Sequence, residues 1–293
     1  MMTKLLVTGA SGQLGRAVLA NLLASKGAAD QIVAASRNPA KLADLADKGV
    51  ETRSADFDDP ASLEKAFAGI DRLLLISTDE LAVPGKRLSQ HKAAVAAAVK
   101  AGVTHILYTS MPNPDKSLVS FAPDHLGTEE AIKASGLAYT ILRNSWYFDN
   151  YFMSMKHNLE TGQWFTSRGD GRTGHISRDD CAAAAAAALA HPPAGDVTLT
   201  LTGPEALNAD QIASAIATAA GKPLAVVQIN DEQLAAGASS AGLPDFVVKL
   251  VVSTEANIRA GNFNLVTGDF EALTGRRPQS VSDFFTAHKS ALG

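Results

Sequence analysis

A glycine array near the start of the chain, "VTGASGQLGRAV" from Val7 to Val18, limits the fold more than any other stretch. It follows a short apolar run, "KLLVTG" (4–9), and opens into a helix-forming segment, as the first strand, turn and helix of a βαβ unit would. Gly9 permits the tight turn, Gly12 lets backbone N–H groups approach a pyrophosphate, and Gly15 allows the helix to pack closely on the sheet. Ala10, Ser11, Gln13 and Leu14 belong to the same cradle. This context predicts dinucleotide binding, with a plain glycine-rich turn as the alternative.

The first half keeps the rhythm that the array begins. Strands are predicted at 4–9, 31–36, 50–55, 72–77, 105–110 and 138–143, with helices near 13–25, 39–48, 60–68, 86–101 and 124–135 between them. Asp59-Pro60 opens one helix, and Gly49, Gly102 and Gly136 follow three others. Six strands with helical crossovers predict an α/β fold, a Rossmann-type doubly wound parallel sheet. After Asn144 the pattern changes. Residues 146–175 are aromatic and punctuated by glycine, "SRDDCAAAAAAALA" predicts a helix capped near Ser177 or Asp179, and "DVTLTLTG" predicts a strand. A helix near 209–220, a strand "LAVVQI", an amphipathic helix near 245–260 and a last helix near 280–291 complete the chain. The expected division is a nucleotide-binding Rossmann domain of 1–150 with 176–203, and a smaller C-terminal α+β substrate lobe of 151–175 with 204–293.

Which dinucleotide is bound is decided at the end of the second strand, where chains that bind NAD usually carry an acid for the ribose 2′-hydroxyl. This one reads "AASRNPAK", with Ser36, Arg37 and no acid. A guanidinium there favours a 2′-phosphate, and Lys41 could add to it, so NADP(H) is preferred; a solvated arginine before a proline turn is the alternative. Asp56 could accept from the adenine amino group and Phe57 could flank the base, whereas Asp58 and Asp59 stand in a helix-capping environment. Ile76, Ser77 and Thr78 close the fourth strand along the expected path of the cofactor.

Charge and composition exclude several other functions. A net charge of −4 gives no electrostatic reason to approach nucleic acid or an anionic membrane. A single cysteine, Cys181, rules out an internal disulfide and a thiolate metal cluster, and it reads as a small buried hydrophobe. The segment before the first glycine is too short in apolar residues for a signal peptide, and no stretch is long and apolar enough to span a bilayer. The expectation is a cytoplasmic protein with a small-molecule partner, no nucleic-acid partner and no membrane insertion; a homodimer is compatible with it.

Together, "TGASGQLG", "SRNPAK", "LLLIST", "YTS", "HLGTEEAI" and "TILRNSWYFDNY" resemble, in order and spacing, the short-chain dehydrogenase/reductase superfamily. Within it they resemble the atypical NmrA-like group, and the branch of bacterial NADPH-dependent quinone oxidoreductase 2 and triphenylmethane reductase. The likeness in motifs covers roughly the first 190 residues, and beyond them it is one of layout. Ordinary members use a serine at the end of the fifth strand and Tyr-x-x-x-Lys on the next helix. Ser110 matches the serine approximately, but His125-x-x-x-Glu129 stands where the tyrosine and lysine would be. Ordinary alcohol–ketone interconversion needs a positioned proton donor and is put in doubt. Hydride delivery to a quinone leaves a hydroquinone anion of basicity near tyrosinate, pKa about 10, against about 15.7 for water, so water can protonate it. A cationic dye needs no proton at the reacting carbon.

The resemblance therefore implies an NADPH-dependent reductase for a planar acceptor. It implies Asn144, Trp146 and Tyr147 as pocket residues, with Phe148 and Ser110 also lining the pocket and Thr140 to Ser145, including Arg143 and Asn144, near the nicotinamide. Arg143 could equally be an ion-pair partner. Phe148 joins the cluster of aromatic rings available for stacking. His125 and Glu129 share a helix face; they are poor metal ligands, a conceivable acid/base pair, or a helix-face pair without chemistry. Asn144, Tyr147 and His125 are the candidate catalytic residues, and no metal is expected. The NmrA-like resemblance also allows a non-catalytic NADP(H)-binding redox sensor.

Overall fold

The computed structural model describes residues 3–25 and 29–292. The first half alternates strand and helix as β1 (Leu5–Val7), α1 (Gln13–Ala24), β2 (Ile32–Ser36), α2 (Ala43–Ala46), β3 (Glu51–Ser54), α3 (Pro60–Phe67), β4 (Arg72–Leu75), α4 (Lys86–Ala101), β5 (His105–Ser110), α5 (Ala122–Ala134) and β6 (Ala138–Asn144). The remainder runs α6 (Phe152–Thr161), β7 (Gln163–Thr166), α7 (Arg178–Ala190), β8 (Val197–Leu201), α8 (Ala209–Ala220), β9 (Ala225–Gln228), α9 (Asp231–Ser240), α10 (Asp245–Arg259), α11 (Asp269–Thr274) and α12 (Val281–Ala287).

Seven parallel strands form the main sheet in the order β3-β2-β1-β4-β5-β6-β8. β1, β2 and β5 are buried along their whole length, as strands covered on both faces must be. Alternate residues divide between two cores. Leu5, Val7, Ala34, Leu74, Leu107 and Leu142 face α1 and α7, while Leu6, Val33, Leu73, Leu75, Ile106 and Tyr108 face α3, α4 and α5. The alanine run of α7 has a mechanical use here, since Cys181, Ala182, Ala184, Ala185 and Ala188 are fully or almost fully buried and methyl-sized side chains let the helix lie close to its neighbours. The strand order reverses between β1 and β4, and a crevice at their carboxyl ends is where a doubly wound sheet places its ligand.

The aromatic, glycine-punctuated segment 146–175, for which the sequence predicts no element, contains α6 and β7, and β7 pairs in parallel with β9, Gln163 beside Ala225. The helix expected at 39–48 is divided into a 3-10 turn, Pro39–Leu42, and the four-residue α2, because Asn38 caps the turn through Ala40 N–H. The last helix ends at Ala287 and continues only as a 3-10 turn, Lys289–Leu292. Around β7, the apolar faces of α6, α8 and α12 make a separate core that includes Phe148, Tyr151, Met155, Trp164, Ile212 and Phe284. No helix among the described residues is long and apolar enough to cross a membrane.

Candidate functional site

The glycine array behaves as backbone chemistry requires. Gly9 has φ +60°, and Gly12 N–H closes the turn on Gly9 C=O at 2.9 Å. A Cβ on Gly15 would lie 2.3 Å from Gly9 O, so the helix can approach the turn only with glycine at that position. No side chain caps α1, whose first-turn N–H groups are therefore available to an anion. Ser11 reaches across to β2, its Oγ 2.9 Å from that of Ser36, and Arg37 next in line is exposed. No carboxylate among the described residues pairs with Arg37 within ion-pair distance, which leaves its guanidinium free for a phosphate. Lys41 is exposed on the 3-10 turn beyond it.

Across the crevice the rim of β4 is held by side chains. Ile76 N–H donates to Thr8 Oγ1 at 2.9 Å, Ser77 N–H to Thr109 Oγ1 at 2.9 Å, and Thr78 N–H to His91 Nε2 at 3.0 Å. At the end of β6, Asn144 donates from Nδ2 to the Tyr147 hydroxyl at 2.9 Å, while its Oδ1 and the Ser145 Oγ are buried with no partner. Buried polar atoms left unpaired are uncommon, and these two stand at the carboxyl end of β6, the edge at which such a sheet places its ligand. The cradle, the free cation and these two atoms fit a phosphorylated dinucleotide.

Several expected contacts are placed elsewhere. Thr140 is fully buried near the amino end of β6, its Oγ1 2.9 Å from His105 Nε2, and so lies away from the carboxyl edge. Arg143 gives its guanidinium to Glu129, Nε to Oε1 at 2.9 Å and Nη2 to Oε2 at 2.7 Å, which makes it an ion-pair partner. Phe57 is drawn into the core on the α3 and α4 face, and Asp56 turns Oδ1 back to Asp58 N–H at 3.0 Å. Asp59 caps α3 through Ala61 N–H, as its place before Pro60 suggests. Phe148 is stacked on Phe284 and His175 inside the smaller core, so its ring is not free to line a pocket.

His125 and Glu129 share a face of α5 but not a partner. Glu129 accepts from Ser110 Oγ at 2.7 Å as well as from Arg143, and its side chain has no exposure. His125 sits between Arg87, whose Nη2 donates to Nε2 at 3.1 Å, and Tyr108, whose hydroxyl is 2.8 Å from Nδ1. Because a guanidinium can only donate, Nε2 is the acceptor and Nδ1 carries the proton toward Tyr108. His91 is oriented by the same logic: it accepts from Thr78 N–H at Nε2, so Nδ1, 2.9 Å from Thr128 Oγ1, carries its proton. Burial, with the Arg87 charge adding to it, holds His125 well below the usual imidazole range and His91 down to about 3. Burial also pushes the phenols of Tyr108 and Tyr147 well above the usual tyrosine range. At neutral pH both histidines are neutral and both phenols are weak acids. His125 and Glu129 thus do not form an acid/base couple.

A flat aromatic surface remains. Trp146 lies parallel to Phe121 with ring centroids 6.3 Å apart and 10° between planes, and Phe263 adjoins it at 5.7 Å. Tyr147 turns to the other side, under Arg178 at 5.4 Å. Sequence reasoning passed over Arg87, His91, Tyr108, Phe121 and Phe263. Arg87 and His91 are four apart on α4, a spacing that marks one helix face, but the other three bear no local signal. Among the described residues no group of three or more histidine, cysteine or acidic side chains could hold a metal ion.

The model of an NAD(P)H-binding family matches residues 9–192. Quinone oxidoreductase 2 of Escherichia coli (strain K12) is 37% identical over 255 residues, 87% of this chain and 88% of the relative. Among solved structures, an Escherichia coli NADPH-dependent quinone oxidoreductase complexed with NADPH matches with a TM-score of 0.92 at 34% identity, covering 97% of this chain and 99% of that one. Citrobacter sp. triphenylmethane reductase complexed with NADP(H) matches with a TM-score of 0.91 at 32% identity, again over 97% and 99%.

Proposed function

The chain belongs to the NAD(P)H-binding family, as an NADPH-dependent oxidoreductase related to quinone oxidoreductase 2, and we propose that its acceptor is a quinone or a similarly planar aromatic electrophile. Gly9 to Leu14 would hold the pyrophosphate, Ser11, Ser36 and Arg37 the 2′-phosphate, and Ile76 to Thr78 with Asn144 and Ser145 the nicotinamide end. When bound, the reduced cofactor supplies a hydride. Trp146 and Phe121 would orient the flat acceptor by stacking, which is where most of the rate would come from. In this reading residues 1–150 with 176–203 carry the cofactor, and 151–175 with 204–293 form the acceptor lobe.

The observation that carries the proposal is the state of the helix turn above β5. Tyr108 is a weakened acid, His125 is neutral with its one proton directed at Tyr108, and Glu129 is held by Arg143 and Ser110. None of them is poised to give a proton to an alkoxide, which supports an acceptor that needs no strong donor. The test is loss of NADPH absorbance with a panel of benzoquinones, naphthoquinones, simple ketones and aldehydes. Turnover confined to the quinones is expected. Equal or faster turnover of the ketones would overturn the proposal, and tight NADPH binding with no turnover of any acceptor would favour a cofactor-sensing regulator instead.

A further inference from the structure

Arg87, in the first turn of α4, is 5% exposed. No carboxylate among the described residues lies within ion-pair distance of it. Its Nε donates to Thr78 C=O at 2.8 Å, its Nη2 to His125 at 3.1 Å, and its Nη1 is buried with no partner. The guanidinium lies 4.9 Å from the centre of the Phe121 ring, the same ring that is parallel to Trp146. Asp79 and Asp124 act on it only through space.

A cation kept inside a protein without a counter-ion is strongly unfavourable unless something compensates it. Here the cation lies over the Phe121 ring and touches the β4 rim at Thr78, which points to negative charge that arrives during the reaction. We infer that Arg87 determines acceptor specificity, its charge favouring neutral acceptors that become anions on taking hydride, such as quinones, over cationic dyes. The inference rests on the reductase reading above. A neutral quinone that takes a hydride gains two electrons and one proton and becomes a hydroquinone monoanion; the dinucleotide is left oxidised and water supplies the second proton. A cationic dye taking the same hydride becomes neutral, so Arg87 opposes its binding and gains nothing from its reduction. From its place over the Phe121 ring, Arg87 works through space as a specificity residue and not as a proton donor.

The test compares wild type with Arg87→Met, Arg87→Gln and Arg87→Lys, using menadione and malachite green at saturating NADPH. The two uncharged variants are expected to lower kcat/KM for menadione about tenfold or more while malachite green holds or rises, and Arg87→Lys recovers most of the difference. KM for NADPH should move less than about twofold, since the charge acts on the acceptor. A second measurement needs no turnover: para-nitrophenol bound beside NADP+ should ionise at lower pH in wild type than in Arg87→Met, read from phenolate absorbance. Arg87→Gln, which can still donate to Thr78 C=O, serves if Arg87→Met does not fold. An unchanged menadione-to-dye ratio, a rise in KM for NADPH in its place, or unchanged phenol ionisation overturns the assignment. If wild type reduces neither acceptor, the reductase reading fails and the phenol measurement still decides on Arg87.

Discussion

Replacing Glu129 tests whether its carboxylate is a brace or a chemical group. Both oxygens are occupied: Oε1 by Ser110 at 2.7 Å and Arg143 Nε at 2.9 Å, Oε2 by Arg143 Nη2 at 2.7 Å, with Lys133 at 3.5 Å. The hydrogen bonds to Glu129 raise the Arg143 guanidinium above its ordinary pKa. Breaking a buried pair by removing one member costs about 3–5 kcal/mol, because the other is left desolvated. Arg143 has 20% of its side chain exposed and can recover some hydration, so Glu129→Ala should fall at the lower end, about 3 kcal/mol. Glu129→Gln keeps an oxygen for Ser110 but turns an N–H₂ toward Arg143, losing one charge-assisted bond, about 1.5–3 kcal/mol.

Urea unfolding followed by circular dichroism measures both variants, and the single variants Glu129→Leu and Arg143→Leu with the double variant Glu129→Leu/Arg143→Leu make the cycle. Because the double variant leaves no orphaned charge, it should be more stable than either single one, with a coupling of about 2 kcal/mol. Turnover of each folded single variant should stay within about tenfold of wild type, since the brace positions strand ends but donates no proton. Glu129→Gln unfolding within about 0.5 kcal/mol of wild type, or strictly additive effects, would refute the brace. A thousandfold loss of kcat with stability intact would make Glu129 a chemical group.

Arg37→Ala should raise KM for NADPH about tenfold to a hundredfold and leave that for NADH nearly unchanged, the loss of one charged contact to a phosphate; equal effects on both would mean that Arg37 does not read the 2′-phosphate. Gly15→Ala should destabilise the chain by about 1–3 kcal/mol and weaken NADPH binding measured by fluorescence titration, because the new Cβ would lie 2.3 Å from Gly9 O. His91 and His175 are lowered to about 3 by burial, with the charges of Arg87 and Arg168 adding to it, and His125 is lowered well below the usual value. With folded values below the unfolded one of about 6.5, the unfolded chain binds more protons between about pH 6.5 and 3, so stability is full above this window and falls as pH drops through it, each histidine adding a slope up to about 1.4 kcal/mol per pH unit. A melting temperature that does not fall between pH 7 and pH 5 would contradict the burial of all three.

The strands and helices that the sequence located well carry their signals locally. "HILYTS" is a β-rich run bounded on both sides, and the structure has β5 over the same six residues. The helix at 209–220 is announced by Asn208 and Gly221, and the structure shows a capping box at the first and a left-handed residue at the second. Elements that escaped notice lack a hydrophobic pattern even where a cap is present, as at Asn230 and Gln233 before and within α9. α9 buries none of its residues, so it has no apolar stripe to read, and β7 pairs with β9 some sixty residues later. The same distinction governs the site. A spacing of four put His125 and Glu129 on one face of α5, and that much is a property of the helix. What each side chain does there is decided by residues on other elements: Arg87 and Tyr108 turn His125 one way, Ser110 and Arg143 turn Glu129 another. Missing tyrosine and lysine could be read from the chain directly, but the cation set over the Phe121 ring could not, because Arg87 acquires its character from burial without a counter-ion. The chemistry of this turn therefore depends less on the two residues the helix displays than on the charge α4 brings in beside them.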